Sequence, residues 1–93
     1  MRDELAAILG AAPPPVFEPR IPLPLRIGIH TDLIERYSAV APRVLGRWLG
    51  RWTATSQYRL ALATGGPRFD LDGNVAGEIS PDAQEFAAAR RRK

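Results

Sequence analysis

The chain has 93 residues, no cysteine and a formal net charge of +3. That length fits one domain with a modest core, and the lack of cysteine excludes disulfides and thiolate metal sites while fitting a cytoplasmic setting. No apolar run nears the roughly 20 residues of a membrane span, and the N-terminus, with Asp3 and Glu4 and no long apolar stretch, does not read as a signal peptide.

Residues 3–9 are expected to form a first helix, with Leu5, Ile8 and Leu9 at helical spacing; Gly10 and Pro13-Pro14-Pro15 end it. Val16 and Phe17 then dock on the core. Three further prolines (Pro19, Pro22, Pro24) make residues 18–25 extended and argue against a central strand there. Leu25-Arg26-Ile27-Gly28-Ile29 alternates apolar and other residues, which predicts a short extended segment with one buried face. Thr31 or Asp32 is the expected cap of a helix reaching about residue 38, with Leu33, Ile34 and Tyr37 inward.

Residues 42–52 carry the clearest period. Leu45, Trp48, Leu49 and Trp52 make one apolar stripe, and Arg43, Arg47 and Arg51 a separate basic one. Pro42 suits the first helical turn. Gly46 and Gly50 weaken this helix by about 1 kcal/mol each relative to alanine, and their spacing suits close packing or the close approach of a ligand. The hydroxyl-rich Thr53-Ala54-Thr55-Ser56 offers caps for a helix to residue 63, which Gly65-Gly66 stops. A hairpin follows, turning at Asp72-Gly73-Asn74. Ser80-Pro81 opens the last helix, which frays into a basic tail.

The small net charge hides an asymmetry. Residues 20–68 hold eight arginines against Asp32 and Glu35; residues 69–89 hold five acids and no base; Arg90, Arg91, Arg92 and Lys93 close the chain. Guanidinium groups bind phosphate in a fork and stack on bases, so this bias favours an anionic, base-bearing ligand. A solvated helix face is the plainer reading of the stripe, and a solubilising tail that of the last four residues.

Catalytic and metal chemistry find little support. Counted from Asp70, an EF-hand loop would want glycine where Val75 stands and glutamate where Pro81 stands, so the match fails. Asp70, Asp72 and Glu78 lack a second type of catalytic partner, and acids around a tight turn usually cap amides. His30 is the only histidine and builds no zinc site or hydrolase triad alone. Trp48 and Trp52 read as core. Tyr58, early in its helix beside the hydroxyl-rich cap, need not belong to the apolar face.

Taken in order, Pro24-Leu25-Arg26-Ile27-Gly28-Ile29, Asp32-Leu33, Leu45, Leu49, Thr53, Tyr58, Arg68-x-Asp70-Leu71-Asp72-Gly73-Asn74 and Gly77-Glu78 resemble the ProQ/FinO domain of bacterial RNA chaperones. The resemblance covers about residues 5–88. It implies a mostly α fold with a small β-hairpin (α+β). The expected layout is a single domain over residues 1–93: a helix and Pro-rich segment to about 24, a core over 25–89 and a basic tail over 90–93. It implies an RNA-binding protein that takes stem-loops with single-stranded 3′ tails, as in intrinsic terminators, and serves small-RNA regulation in the cytoplasm. No enzyme activity, cofactor, metal, small-molecule substrate or membrane is expected, and the chain is expected to be a monomer.

The family's pocket tyrosine maps to Tyr58, its hairpin arginine to Arg68, the basic residue of its Pro-Leu-Lys/Arg motif to Arg26, and its cap region to residues 53–56. A 3′-end pocket of Tyr58, Arg68, Thr55, Ser56 and Gly73 is therefore expected, with duplex and phosphate contacts from Arg26, Arg43, Arg47, Arg51 and Thr53. The chain departs from the family where basic residues are common (Gly46, Gly50), where tryptophan is common (Ser56), and where leucine follows the tyrosine (Arg59). A protein-interaction or scaffold module, using the tryptophans and the Pro-rich segment, is the alternative; a DNA-binding domain is the third.

Overall fold

The structure, a computed structural model, describes residues 1–91, the last of these as backbone only. Arg92 and Lys93, half of the expected basic tail, lie outside the described residues. Helix α1 (Arg2–Leu9) seats Leu5 in the core, with Ile8 and Leu9 packed half-buried beside it. The proline run leads into a single 3-10 turn, Pro15–Phe17, which buries Val16 and Phe17. The Val16 amide donates to Leu71 O at 3.1 Å, joining this turn to the hairpin region.

The next segment differs from the sequence expectation. Only Leu25 pairs, as a parallel bridge to Phe69. The chain then turns at Gly28, whose φ of 85° places it in the left-handed region, and α2 (Ile29–Arg36) starts there, ahead of Thr31 and Asp32. Glycine enters that region without the Cβ clash that other residues meet. The alternation of Leu25, Ile27 and Ile29 is therefore not read out as a strand: Leu25 and Ile29 are buried while Ile27 stands in solvent. Leu33 is buried, and Ile34 and Tyr37 pack at the core's edge.

Helix α3 (Pro42–Thr53) buries Leu45, Trp48, Leu49 and Trp52, the stripe its period predicted. The tryptophans are core. Phe17 meets Trp48 edge-on at 5.0 Å and Trp52 at 5.5 Å, and the two indoles stack at 5.1 Å. Trp48 Nε1 donates to Met1 O at 2.8 Å, so its polar edge is satisfied. Such side chains contribute roughly 1.5–3 kcal/mol each on burial, which makes this cluster the anchor of the N-terminal half.

Helix α4 (Ser56–Thr64) is capped by Thr55, and Gly65 stops it. Strands β1 (Pro67–Phe69) and β2 (Val75–Glu78) pair antiparallel, with Pro67 opposite Glu78 and Phe69 opposite Val75, so β2 carries one extra residue. At the turn, one Asp70 carboxylate oxygen accepts from the amides of Asp72 (3.0 Å) and Asn74 (2.9 Å), and Gly73 supplies the positive φ. Ser80 Oγ accepts from the Ala83 amide to cap α5 (Pro81–Arg91). Helix α5 packs along α4, where Ala87 is buried and Gln84 Nε2 donates to Ala63 O at 2.9 Å. The result is the mostly helical α+β fold with one small hairpin. Among the described residues no helix is long and apolar enough to cross a membrane.

Candidate nucleic-acid interface

Three elements meet at one residue, Leu25. The Pro24–Arg26 backbone lies against β1 through Phe69 N→Pro24 O and Arg26 N→Phe69 O, both at 2.8 Å. That pairing leaves the Leu25 amide and carbonyl pointing away from β1, where a ladder partner is missing. Side chains supply the partners: Leu25 N donates to the Tyr58 hydroxyl at 3.1 Å, and Arg68 Nη1 donates to Leu25 O at 2.9 Å. Tyr58 of α4 and Arg68 of β1 are thus brought together, with Leu25 between them.

Tyr58, which the sequence left free to lie off the apolar face, is buried. It is 5 % exposed and part of the core. Burial pushes its phenol above the ordinary value of 10.0, and the Leu25 amide and Arg68 guanidinium offset that only in part. A ring in that position braces the node and presents no free face for stacking. Arg68 is half-buried, and its Nε is enclosed without a partner among the described residues.

The hydroxyls at the α3–α4 corner are also largely engaged. Thr55 Oγ1 accepts from the Tyr58 amide at 3.3 Å and donates to Trp52 O at 2.8 Å. Thr53 Oγ1 donates back to Leu49 O at 3.1 Å. These groups shape the corner. Ser56 and Gln57 are exposed in the first turn of α4, where backbone amides have no intrahelical acceptor and the positive end of the helix dipole lies. Gly73 does not join them: its amide donates to Asp70 O at 3.0 Å inside the hairpin turn.

The arginines divide into two groups. Arg26 pairs with Asp32 at 3.2 Å and donates to Ile27 O, and Arg51 pairs with Glu4 at 2.8 Å. Both are partly committed to these surface pairs, and each side chain keeps 41–52 % of its surface exposed. Arg43 and Arg47 are exposed and have no ion pair among the described residues. Gly46 and Gly50 lie exposed on the same helix, and a Cβ at either would meet open space. They are therefore not a close-packing seam, and they leave the helix backbone accessible beside Arg43 and Arg47.

Two features escaped the sequence reading. Arg36 grips Asp72 through two bonds of 2.9 and 3.1 Å, fastening the hairpin tip to α2. The guanidinium holds the Asp72 carboxyl below its ordinary value. The hollow beside this pair, about 480 Å³, is lined by Arg26 and Arg36 but also by Asp32, Glu35, Asp70 and Asp72, a balance that repels polyanions. The second is Phe86, 63 % exposed on α5 with the Arg90 guanidinium over its ring at 5.4 Å. Its signal was present as an i, i+4 pairing of aromatic and cation on one helix.

The profile of the ProQ/FINO family matches residues 2–93. The chain belongs to the ProQ/FINO family. The RNA chaperone ProQ of Shewanella pealeana is 39 % identical over 69 residues, 71 % of this chain and 32 % of that protein. The RNA chaperone ProQ of Aliivibrio salmonicida is also 39 % identical over 69 residues, 33 % of its length. The ProQ/FINO chain thus matches about a third of the length of these curated relatives. A FinO-like RNA chaperone from Neisseria meningitidis superposes with a TM-score of 0.75 at 32 % identity, covering 92 % of this chain and 84 % of that one. A ProQ homolog from Legionella pneumophila gives 0.63 at 27 % identity, over 74 % of this chain and 61 % of the other.

Proposed function

We propose that this chain is a single RNA-binding domain that acts as an RNA chaperone in small-RNA regulation and takes stem-loops with single-stranded 3′ tails. The observation that carries the reading is a pair of exposed arginines free of ion pairs: Arg43 and Arg47 on α3 have none among the described residues. Helix α3 leads through Ala54 and Thr55 into the amino end of α4, and Arg68 is tied to α4 through Leu25 and Tyr58. Family membership adds its weight, since relatives of this fold are RNA chaperones.

The mechanism has two parts. Arg43 and Arg47 follow the duplex backbone by charge, because side chains do not read the deep groove of A-form RNA. The Ser56 and Gln57 amides, at a helix amino end, take a phosphate of the tail, and Arg68 supplies a further cation at the 3′ end. Tyr58 acts by bracing Leu25 and, through it, Arg68.

The test is a binding titration of a labelled hairpin with a 3′ tail at several salt concentrations. Affinity falls with salt, and Arg43→Ala with Arg47→Ala weakens binding and makes the slope shallower by about 0.9 per lost duplex contact. Arg68→Ala weakens binding of the tailed hairpin, and a 3′-terminal phosphate does the same. A matched DNA hairpin competes poorly. Equal competition by DNA overturns the RNA assignment, and no binding at low salt returns the chain to the protein-interaction alternative.

A further inference from the structure

A cleft follows the seam between α4 and α5. It consists of two adjoining hollows of about 460 and 240 Å³ that share Arg59, Phe86 and Arg90. The smaller reaches Thr53 and Ala54, at the corner where α3 gives way to α4. Among the described residues no carboxylate lines either hollow. Phe86 is 63 % exposed, with the Arg90 guanidinium over its ring, although α5 offers buried positions such as Ala87 one residue on.

The combination restricts the occupant. A free phosphate would use the two guanidinium groups and leave the aromatic ring idle. An apolar protein segment would use the ring and bury two arginines with no acid in the wall to pair them, which is costly. A nucleotide uses both: a flat base with a π-face for Phe86 and a phosphate for the arginines.

We propose that this cleft holds one unpaired nucleotide of the bound RNA, its base stacked on Phe86 and its phosphate between Arg59 and Arg90. The proposal rests on the RNA-binding reading above and extends it. The cleft begins at the corner next to the amino end of α4, so a strand leaving the phosphate site there enters it directly. Single-stranded RNA is thereby separated from the duplex, which stays on α3.

The test compares the full chain with Phe86→Ala, Phe86→Leu and Phe86→Trp, each checked for an unchanged circular dichroism melt. The probes are a hairpin with a single-stranded uridine tail and the same hairpin blunt-ended. Loss of the ring weakens tailed RNA about 5- to 150-fold, the range of base–aromatic stacking, and leaves the blunt hairpin unchanged. Phe86→Trp retains binding, whereas Phe86→Leu does not, because leucine has no π-face. Arg59→Gln makes the salt slope for tailed RNA shallower by about 0.7, the value for a single-strand phosphate.

Tailed-RNA affinity within about twofold of the parent in Phe86→Ala overturns the proposal, as does full binding by Phe86→Leu. So does a dimer in sedimentation that Phe86→Ala dissolves, since the face is then a self-association surface. Those results leave the RNA-binding reading standing. If the parent binds neither RNA, that reading fails and the nucleotide site falls with it.

Discussion

Replacing Tyr58 with phenylalanine isolates the node that holds the site together. The ring stays, so core packing is preserved; only the hydroxyl that accepts from the Leu25 amide at 3.1 Å is lost. Leu25 is 3 % exposed, so water does not readily replace that acceptor. A buried donor left without a partner costs about 1–3 kcal/mol. At 4–8 °C per kcal/mol for a chain of this size, the midpoint of thermal unfolding falls by about 5–20 °C. Urea unfolding followed by the fluorescence of Trp48 and Trp52, both in the core, measures the change directly, with an unaltered denaturant slope because the exposed area is nearly the same.

Alkaline pH supplies a second arm. Burial raises the Tyr58 phenol in the folded chain, so the unfolded chain releases that proton first. The contribution to stability is complete below the unfolded value of 10.0 and is lost as pH rises through the folded value. In Tyr58→Phe this part of the alkaline decline disappears. A variant within about 0.5 kcal/mol of the parent, with the same alkaline decline, would refute the node as described.

Other consequences are as direct. Asp70→Ala frees the exposed Asp72 and Asn74 amides, should cost about 0.5–1.5 kcal/mol, and speeds hydrogen exchange at both amides by NMR. Thr55→Ala removes the α4 cap and costs about 1 kcal/mol, most of it restored by Thr55→Ser, as denaturant midpoints will show. Gly46→Ala and Gly50→Ala meet no steric obstacle, so each should stabilise the chain by up to about 1 kcal/mol in the same assay. Arg36→Ala removes the group that lowers the Asp72 carboxyl, and an NMR titration should show that carboxyl returning toward 3.8.

Much of this was legible locally. The period of Leu45, Trp48, Leu49 and Trp52 specified α3 and its buried face, because a helix repeats its geometry every few residues whatever surrounds it. Thr55, Ser80 and Gly65 marked helix ends for the same reason, as caps act on neighbouring amides. Asp70 and Gly73 marked the hairpin turn. Gly28 was the local exception: alternating apolar residues around it read as a strand, and a single positive φ turned the chain into a helix.

The state of the site residues depended on partners distant in the chain. Tyr58 became a buried brace because an amide 33 residues earlier needed an acceptor once Leu25 lay beside Phe69. Arg51 was taken by Glu4, Arg36 by Asp72, and Arg26 by Asp32 across the start of α2. Which arginines remain for a ligand follows from those pairings, and residue spacing along one helix does not encode them. The order and spacing of its motifs gave the sequence its family, and local periodicity its helices, since both are properties of the chain taken in line. Only the tertiary structure decided which face is free, because burial and charge pairing are settled between segments that meet after the chain has folded.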